Sequence, residues 1–509
     1  MFMIASLPIK NKDILMKIKY LYIIACILVF TSCKKFLDVQ PESDVTKEQL
    51  FSTEEGFKEA LNGVYTYCST LDLYGGNLTV SNLDIIAQNY EFTDLNTQNI
   101  ATFKYDDPQW VSKAAQIWTN AYKAIGYCNA ILEVIDEKKS LFQGKNYELI
   151  KGEALTLRAY LHFDLLRMYA PSYKNNPTAK AIPYVTAVSI KATPFSNVTE
   201  VLNKVVADLN EAKTLLKASD PILAADYKVG YPDKTYPEGT AESAKSTETR
   251  NPSLFLQNRR HRMNYFSACG ELARAYLYKQ DLINSLSNAK EVIDSKKFPW
   301  AQQVDVFNTN KEQRDKLFYP ELISSWALGV DAMKHFENRF SDVNAAFVPT
   351  ITQKDLIYES GLGGEDWRYR QWFLDNVGAK RSNLQKYTRN STPLRNLHPV
   401  VAPAIRLSEM FYIAAEASFD SNPNQATAYV DSVRLHRGIR ILLPKTIVKG
   451  DFISELVKDA RKEFYGESQI FYMHKRLNRD IISTNGLIYP ASDKIFVFPM
   501  PLDELGYRN

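Results

Sequence analysis

YELIKGEALTLRAYLHFDLLRMY, residues 147–169, is the stretch from which the rest of the chain can be read. Ile150, Ala154, Leu157, Leu161, Leu165 and Met168 recur at steps of three and four, so one apolar stripe runs down a helix. The small Ala154 and Ala159 beside bulky neighbours let a second, antiparallel helix come close. Residues 112–136 carry the same period through Ile117, Trp118, Ala121, Tyr122, Ile125, Asn129 and Leu132, which makes a helical pair and places Trp118 in the core. The signal returns at 198–216, with Ser196 as the expected cap, and at 264–279, 282–295, 404–419, 424–436 and 452–465, after an opening helix within 46–67. The periodicity reads as an all-α chain of helical pairs with the mechanics of a tetratricopeptide-like pair, although the strict repeat consensus is absent.

Between the helices lie long irregular segments. Tyr74 to Trp110 holds Gly75-Gly76, Asn77, Asn82, Asn89-Tyr90, Asn96, Asn99 and Asp106-Asp107-Pro108, a composition of turns and amides. A loop of this length in an ordered chain is functional or disordered, and its rings, Tyr74, Tyr90, Phe92, Tyr105 and Trp110, argue for order. A polar loop spans 218–251. A second irregular region, 298–399, carries Trp300, Trp326, Trp367 and Trp372.

At the N-terminus, Lys17 and Lys19 precede an apolar run from Tyr20 to Phe30, then Thr31-Ser32 and Cys33. A charged head, a short apolar middle and small residues before a cut are the layout of a secretory signal peptide over residues 1–32, with Met16 as the expected true start. The run is shorter than the roughly 20 apolar residues a membrane span needs. A cysteine directly after the small residues is the bacterial lipoprotein arrangement, so Cys33 is expected to become an acylated N-terminus, held on a bilayer by two or three chains. Phe30 stands where leucine is usual.

Cutting the first 32 of 509 residues removes four lysines and one aspartate, so the net charge falls from +4 to +1 and gives no argument for nucleic acid. Cys68, Cys128 and Cys269 remain, widely spaced and odd in number; this excludes a disulfide scaffold and a zinc pattern and predicts buried thiols. The six histidines form no His-Glu-x-x-His pair, and neither a Gly-x-Ser-x-Gly elbow nor a phosphate loop occurs. No enzyme is expected. A glycoside hydrolase stays open as an alternative, because the separation of two carboxylates is set by the fold. A non-binding scaffold or adhesin of the cell surface is the other.

The scattered landmarks, taken in order, resemble the SusD/RagB family of outer-membrane nutrient-binding lipoproteins of Bacteroidetes. They are Cys33 with Phe36-Leu37-Asp38 and Pro41, Ala60-Leu61-Asn62-Gly63-Val64-Tyr65, Trp118 with Tyr122, Ile125 and Asn129, and Gly152-Glu153-Ala154 with Leu157-Arg158-Ala159-Tyr160. Later come Ala273-Arg274-Ala275-Tyr276-Leu277-Tyr278, Asp366 with Arg368, Lys386-Tyr387, Arg406-Leu407-Ser408-Glu409 with Ala414-Ala415-Glu416-Ala417, Val433-Arg434 with Arg437-Gly438, and the Pro499 to Leu505 ending. The late helix departs from the family pattern at Ala460-Arg461, Glu463-Phe464 and Gly466-Glu467-Ser468. Lys34-Lys35 is basic where an acidic export signal is usual.

The resemblance implies an all-α fold of tetratricopeptide-like helical pairs stacked as an α-α superhelix, with a SusD-like N-terminal region over 33–225 and a SusD/RagB C-terminal region over 226–509 in one body, and with the irregular loops forming the ligand face. It implies a lid over a SusC-like TonB-dependent transporter that captures an oligosaccharide or another nutrient at the cell surface. A sugar offers an apolar C–H face and a hydroxyl rim, and is held by an aromatic plate with amides or carboxylates at its edge. The candidate contacts are therefore Asn89, Tyr90, Trp110 and Tyr74 in the first loop, and Trp300 and Trp326 at family-corresponding positions in the second. For Trp110 the competing reading is that it starts the next helix and packs inward. Asp366 and Arg368, beside Trp367 and Trp372, read as a structural pair. No cofactor is called for; Asp106-Asp107 and Glu365-Asp366 could take a structural calcium ion, with solvated acidic pairs as the simpler reading.

Overall fold

The 147–169 stripe forms a helix over Asn146–Tyr169 in the computed structural model, which describes residues 46–92, 94–232, 246–341, 347–390 and 396–506. Helices of eight residues or more are α1 (Glu54–Cys68), α2 (Pro108–Leu132), α3 (Asn146–Tyr169), α4 (Val198–Ser219), α5 (Tyr265–Tyr278), α6 (Leu282–Ser295), α7 (Val330–Phe340), α8 (Ile351–Tyr358), α9 (Leu407–Ser418), α10 (Pro423–Leu435), α11 (Lys449–Glu463) and α12 (Gln469–Leu477). From α1 to α6, and then through α9 to α10, each helix packs on the next. This is the expected tetratricopeptide-like succession: one amphipathic helix cannot bury its stripe alone, and stacked neighbours make a continuous core. Helices α4 and α5, on either side of residue 226, pack directly on each other. No described helix is long and apolar enough to cross a membrane.

The chain divides at Ser52. In the leading unit the described residues carry a short helix, Lys47–Leu50, capped reciprocally by Thr46 and Gln49. The single opening helix expected over 46–67 is thus two, because Thr53 accepts the Gly56 N–H and starts α1 afresh.

Caps decide the other boundaries. Asp107 accepts the Gln109 N–H with Pro108 in the first turn, so α2 begins four residues before the expected start. Asn197, not Ser196, caps α4, in a box closed by Glu200. At Gly152, α3 touches α4 so closely that an added Cβ would lie 2.7 Å from Leu216 Cγ. Cys68, Cys128 and Cys269 are buried free thiols.

The second irregular region holds more structure than its composition suggested. It contains α7 and α8, and Ala332, Phe336 and Phe340 bury one face of α7 at four-residue steps, a signal legible in the sequence. The strands form four separate antiparallel pairs: β1 (Lys180–Pro183) with β2 (Phe195–Asn197), β3 (Leu322–Ala327) with β6 (Val401–Arg406), β4 (Phe373–Asn376) with β5 (Arg381–Leu384), and β7 (Ile481–Ile482) with β8 (Ile488–Tyr489). Because β6 takes residues 401–406, α9 starts at Leu407 rather than Ala404. Helix α12 has no counterpart among the expected elements.

Landmarks far apart in sequence meet in one buried ionic network. Arg437 Nη2 donates to Glu321 Oε2 at 2.5 Å and to Glu463 Oε1 at 2.6 Å; Arg368 donates to Asp366 at 2.7 Å and to Glu463 at 2.9 Å. Lys386 and Arg406 share Glu467. Burial alone would raise the Glu463 carboxyl, but the guanidinium groups of Arg437 and Arg368 outweigh it and hold it well below the usual range. The departures at the end of α11 therefore keep the two acids, Glu463 and Glu467, that tie the C-terminal helices to the loops.

Candidate ligand-binding face

Five of the six residues nominated from sequence face the interior. Tyr74 and Trp326 stack on each other at 4.4 Å, and Tyr74 OH donates to Asp164 at 2.7 Å. Tyr90 OH donates to Asp84 at 2.8 Å, and its ring meets Phe347 and Tyr465 edge-on. Burial lifts the Asp84 carboxyl to about 7, partly offset by that hydrogen bond. Asn89 is fully buried and accepts from Arg461 Nε at 2.8 Å. Trp110 sits in the first turn of α2, stacked on Tyr105 at 4.8 Å and edge-on to Phe498, so the inward-packing reading describes it. Trp118 packs in the core against Tyr122 and Tyr169.

The physical reason is the apolar payload of a ring, roughly 150–250 Å² each. A long loop without periodic stripes has few other groups with which to anchor itself, so its rings become its own core. In this conformation Asn89, Tyr90, Trp110, Tyr74 and Trp326 are buried with protein partners, so the density of rings accounts for the order of the loop. Asp107 is a helix cap and Asp366 is paired with Arg368. Among the described residues no three His, Cys, Asp or Glu side chains converge to hold a metal ion. Residues 1–32 and Cys33 lie outside the described residues.

Trp300 differs. It is half-buried and stacked on His436 at 4.3 Å, with the Arg437 guanidinium 5.4 Å from its ring. The same Arg437 accepts the Trp367 backbone N–H through its carbonyl oxygen at 2.8 Å. Trp367 in turn lines a cleft of about 630 Å³ with Gln303, Glu365, Arg370, Leu435, Gly438 and Arg440.

The local sequence explains why this indole faces outward. Asp366 accepts the Arg368 N–H at 2.9 Å and caps the short helix Trp367–Gln371, and both Asp366 and Arg368 point into the ionic network. Trp367, held between them, is left at the surface, half-buried. Gly438 has φ +81°, and a Cβ there would lie 2.4 Å from Trp367 Nε1, so only glycine lets the ring rest against this backbone. Phe307 meets Trp367 edge-on at 6.0 Å, and the Arg370 guanidinium lies 5.0 Å over Phe307 while pairing with Glu365 at 3.2 Å. The cleft thus combines an aromatic plate with an amide, a carboxylate and guanidinium groups at its edge.

A second cleft opens between the end of α1 and the segment joining β3 to α7, lined by Thr66, Ser69, Thr70 and Asp72 on one side and Leu328, Val330 and Asp331 on the other. No ring lines it, and the Tyr74–Trp326 stack is buried instead of open to it.

Residues 35–223 match the family model for SusD-like proteins, described as "Starch-binding associating with outer membrane". Over those residues the chain is similar to the SusD-like family. SusD-like protein P38 of Formosa agariphila is 27% identical over 208 residues, which cover 39% of this chain and 36% of that protein's length. A SusD-like carbohydrate binding protein from Bacteroides vulgatus superposes with a TM-score of 0.67 at 17% identity, covering 89% of this chain and 96% of the other. A SusD superfamily protein from Bacteroides thetaiotaomicron gives 0.65 at 18% identity, over 89% and 98%. At these identities the superpositions establish the SusD-like fold. Sequence reasoning did not nominate Trp367, because its neighbours Asp366 and Arg368 read as a structural pair; they are one, and the pairing is what turns the intervening indole outward.

Proposed function

We propose that this protein captures a carbohydrate at the outer membrane, an oligosaccharide in the simplest case, and delivers it to a SusC-like TonB-dependent transporter. Acyl chains on Cys33 would hold it at the cell surface, and the Trp367 cleft would receive the ligand. The family description, starch-binding and associated with the outer membrane, supports the class. The observation that carries the binding site is the half-exposed Trp367 plate, set against Gly438 and edged by Gln303, Glu365 and Arg370. An indole covers the C–H face of a sugar ring, and the polar edge meets its hydroxyls.

Calorimetric titration with a panel of oligosaccharides, starch fragments included, tests this. Trp367→Ala is expected to lower affinity for the bound glycan about tenfold or more while the fold persists. Unchanged affinity would remove the cleft from the proposal. Purified protein should leave the chain length of the glycan unaltered by mass spectrometry. Mass spectrometry of the mature N-terminus should find acylated Cys33, and a TonB-dependent barrel should co-purify from outer membranes.

A further inference from the structure

We propose that the Trp367 cleft is built for a glycan carrying an anionic group, a carboxylate or a sulfate ester, on the sugar that meets the indole. This rests on the cleft being the ligand site. Two guanidinium groups, Arg370 and Arg440, share its lining with a single carboxylate, Glu365. Recognition of a neutral sugar by its hydroxyls is well served by amides and carboxylates; a pair of permanently charged forks beside the plate exceeds that need and matches a planar or tetrahedral anion.

The arrangement around Arg370 favours exchange of partners. Its contact with Glu365 is 3.2 Å, with the two side chains 47% and 80% exposed, and an exposed pair of this kind contributes little stability. An arriving anion can therefore replace Glu365 on the guanidinium without a large loss. The guanidinium carbon also lies 5.0 Å from the centre of the Phe307 ring, a cation–π contact that holds the fork in place while its N–H edge donates. Phe307 is edge-on to Trp367, so plate and fork are fixed relative to each other. Arg440 stands two residues beyond Gly438, the residue on which the indole rests, and is exposed.

Paired probes of one backbone separate charge from sugar shape: oligogalacturonide against its methyl ester, and dextran sulfate fragments against dextran, titrated into the full protein by calorimetry. At least one anionic member is expected to bind about tenfold tighter than its neutral partner at low ionic strength, with the gap narrowing as salt screens it. The Arg370→Gln, Arg440→Gln double variant should close the gap. Which pair shows it distinguishes carboxylate from sulfate. Equal affinity within both pairs, a gap that survives in the double variant, or no binding by either anionic probe overturns the inference. Trp367→Ala keeps this apart from the reading beneath it. If that variant abolishes binding while charge makes no difference, the cleft stands and the anionic preference falls; if it leaves every titration unchanged, the site itself is elsewhere.

Discussion

Tyr74 and Trp326, one from each irregular stretch, lie face to face at 4.4 Å with their planes 7° apart. Tyr160 meets both edge-on, at 5.5 Å and 5.7 Å, so the stack joins the two loops to α3. Rings that look available for a ligand in the sequence are here the fastening between loop and helix.

A pair of substitutions separates these two uses of tryptophan. Trp326→Ala empties a fully buried site and is expected to cost about 3–5 kcal/mol by chemical denaturation, with glycan affinity of the folded protein retained. Trp367→Ala, at a half-exposed site, should show the reverse, with affinity lost and stability within roughly 1 kcal/mol of the parent. Equal effects of both on affinity would contradict the assignment.

Glu463 receives Arg437 and Arg368 in the interior, and Ser408 Oγ donates to it at 2.8 Å. Glu463→Gln leaves two guanidinium groups short of a counter-charge where water cannot replace it. Loss of one partner from a buried network of this kind costs about 3–5 kcal/mol, readable from the denaturation midpoint. A shift below about 1 kcal/mol would mean that Glu321 and Asp366 suffice.

Gly152→Ala places a methyl group 2.7 Å from Leu216 Cγ, and the helix backbone behind it limits retreat. A loss of about 1–3 kcal/mol follows from overpacking. Shortening Leu216 to Ala in the same chain should recover part of it. If the double variant is instead as unstable as the sum of the two single ones, the contact between α3 and α4 is not the cause.

His162 gives a pH dependence of known sign. Its Nε2 accepts the Val185 N–H at 2.9 Å, so the ring proton sits on Nδ1 and is donated to the Arg158 carbonyl at 2.8 Å. A second proton has no acceptor, and burial, with Arg158 nearby, lowers the imidazole to about 3 from an ordinary 6.5. Between those values the unfolded chain binds more protons than the folded one. Stability is therefore full above about pH 6.5 and falls as pH drops toward 3, by roughly 1–2 kcal/mol between pH 7 and 5. Asp84, raised to about 7, runs in the opposite direction, favouring the fold at lower pH. Comparing the parent with His162→Gln cancels that contribution, and the variant should show the shallower decline on acidification. Identical slopes would be the contrary result.

The amino-acid sequence by itself determined helices α1 to α6 and α9 to α11 and their pairing, because a 3.6-residue apolar period is a local property and Ile150 to Met168 writes it without help from distant residues. It also contained Ala332, Phe336 and Phe340, which mark α7 within a region that otherwise reads as loop. Which rings face outward is a different kind of question. Trp110 and Trp367 each follow an aspartate cap, yet one packs on Phe498 and the other borders a cleft. Only the tertiary structure decided between them: Glu463, 95 residues further along the chain, joins the neighbouring Asp366 in drawing Arg368 inward, and the indole beside it is turned toward solvent as a consequence.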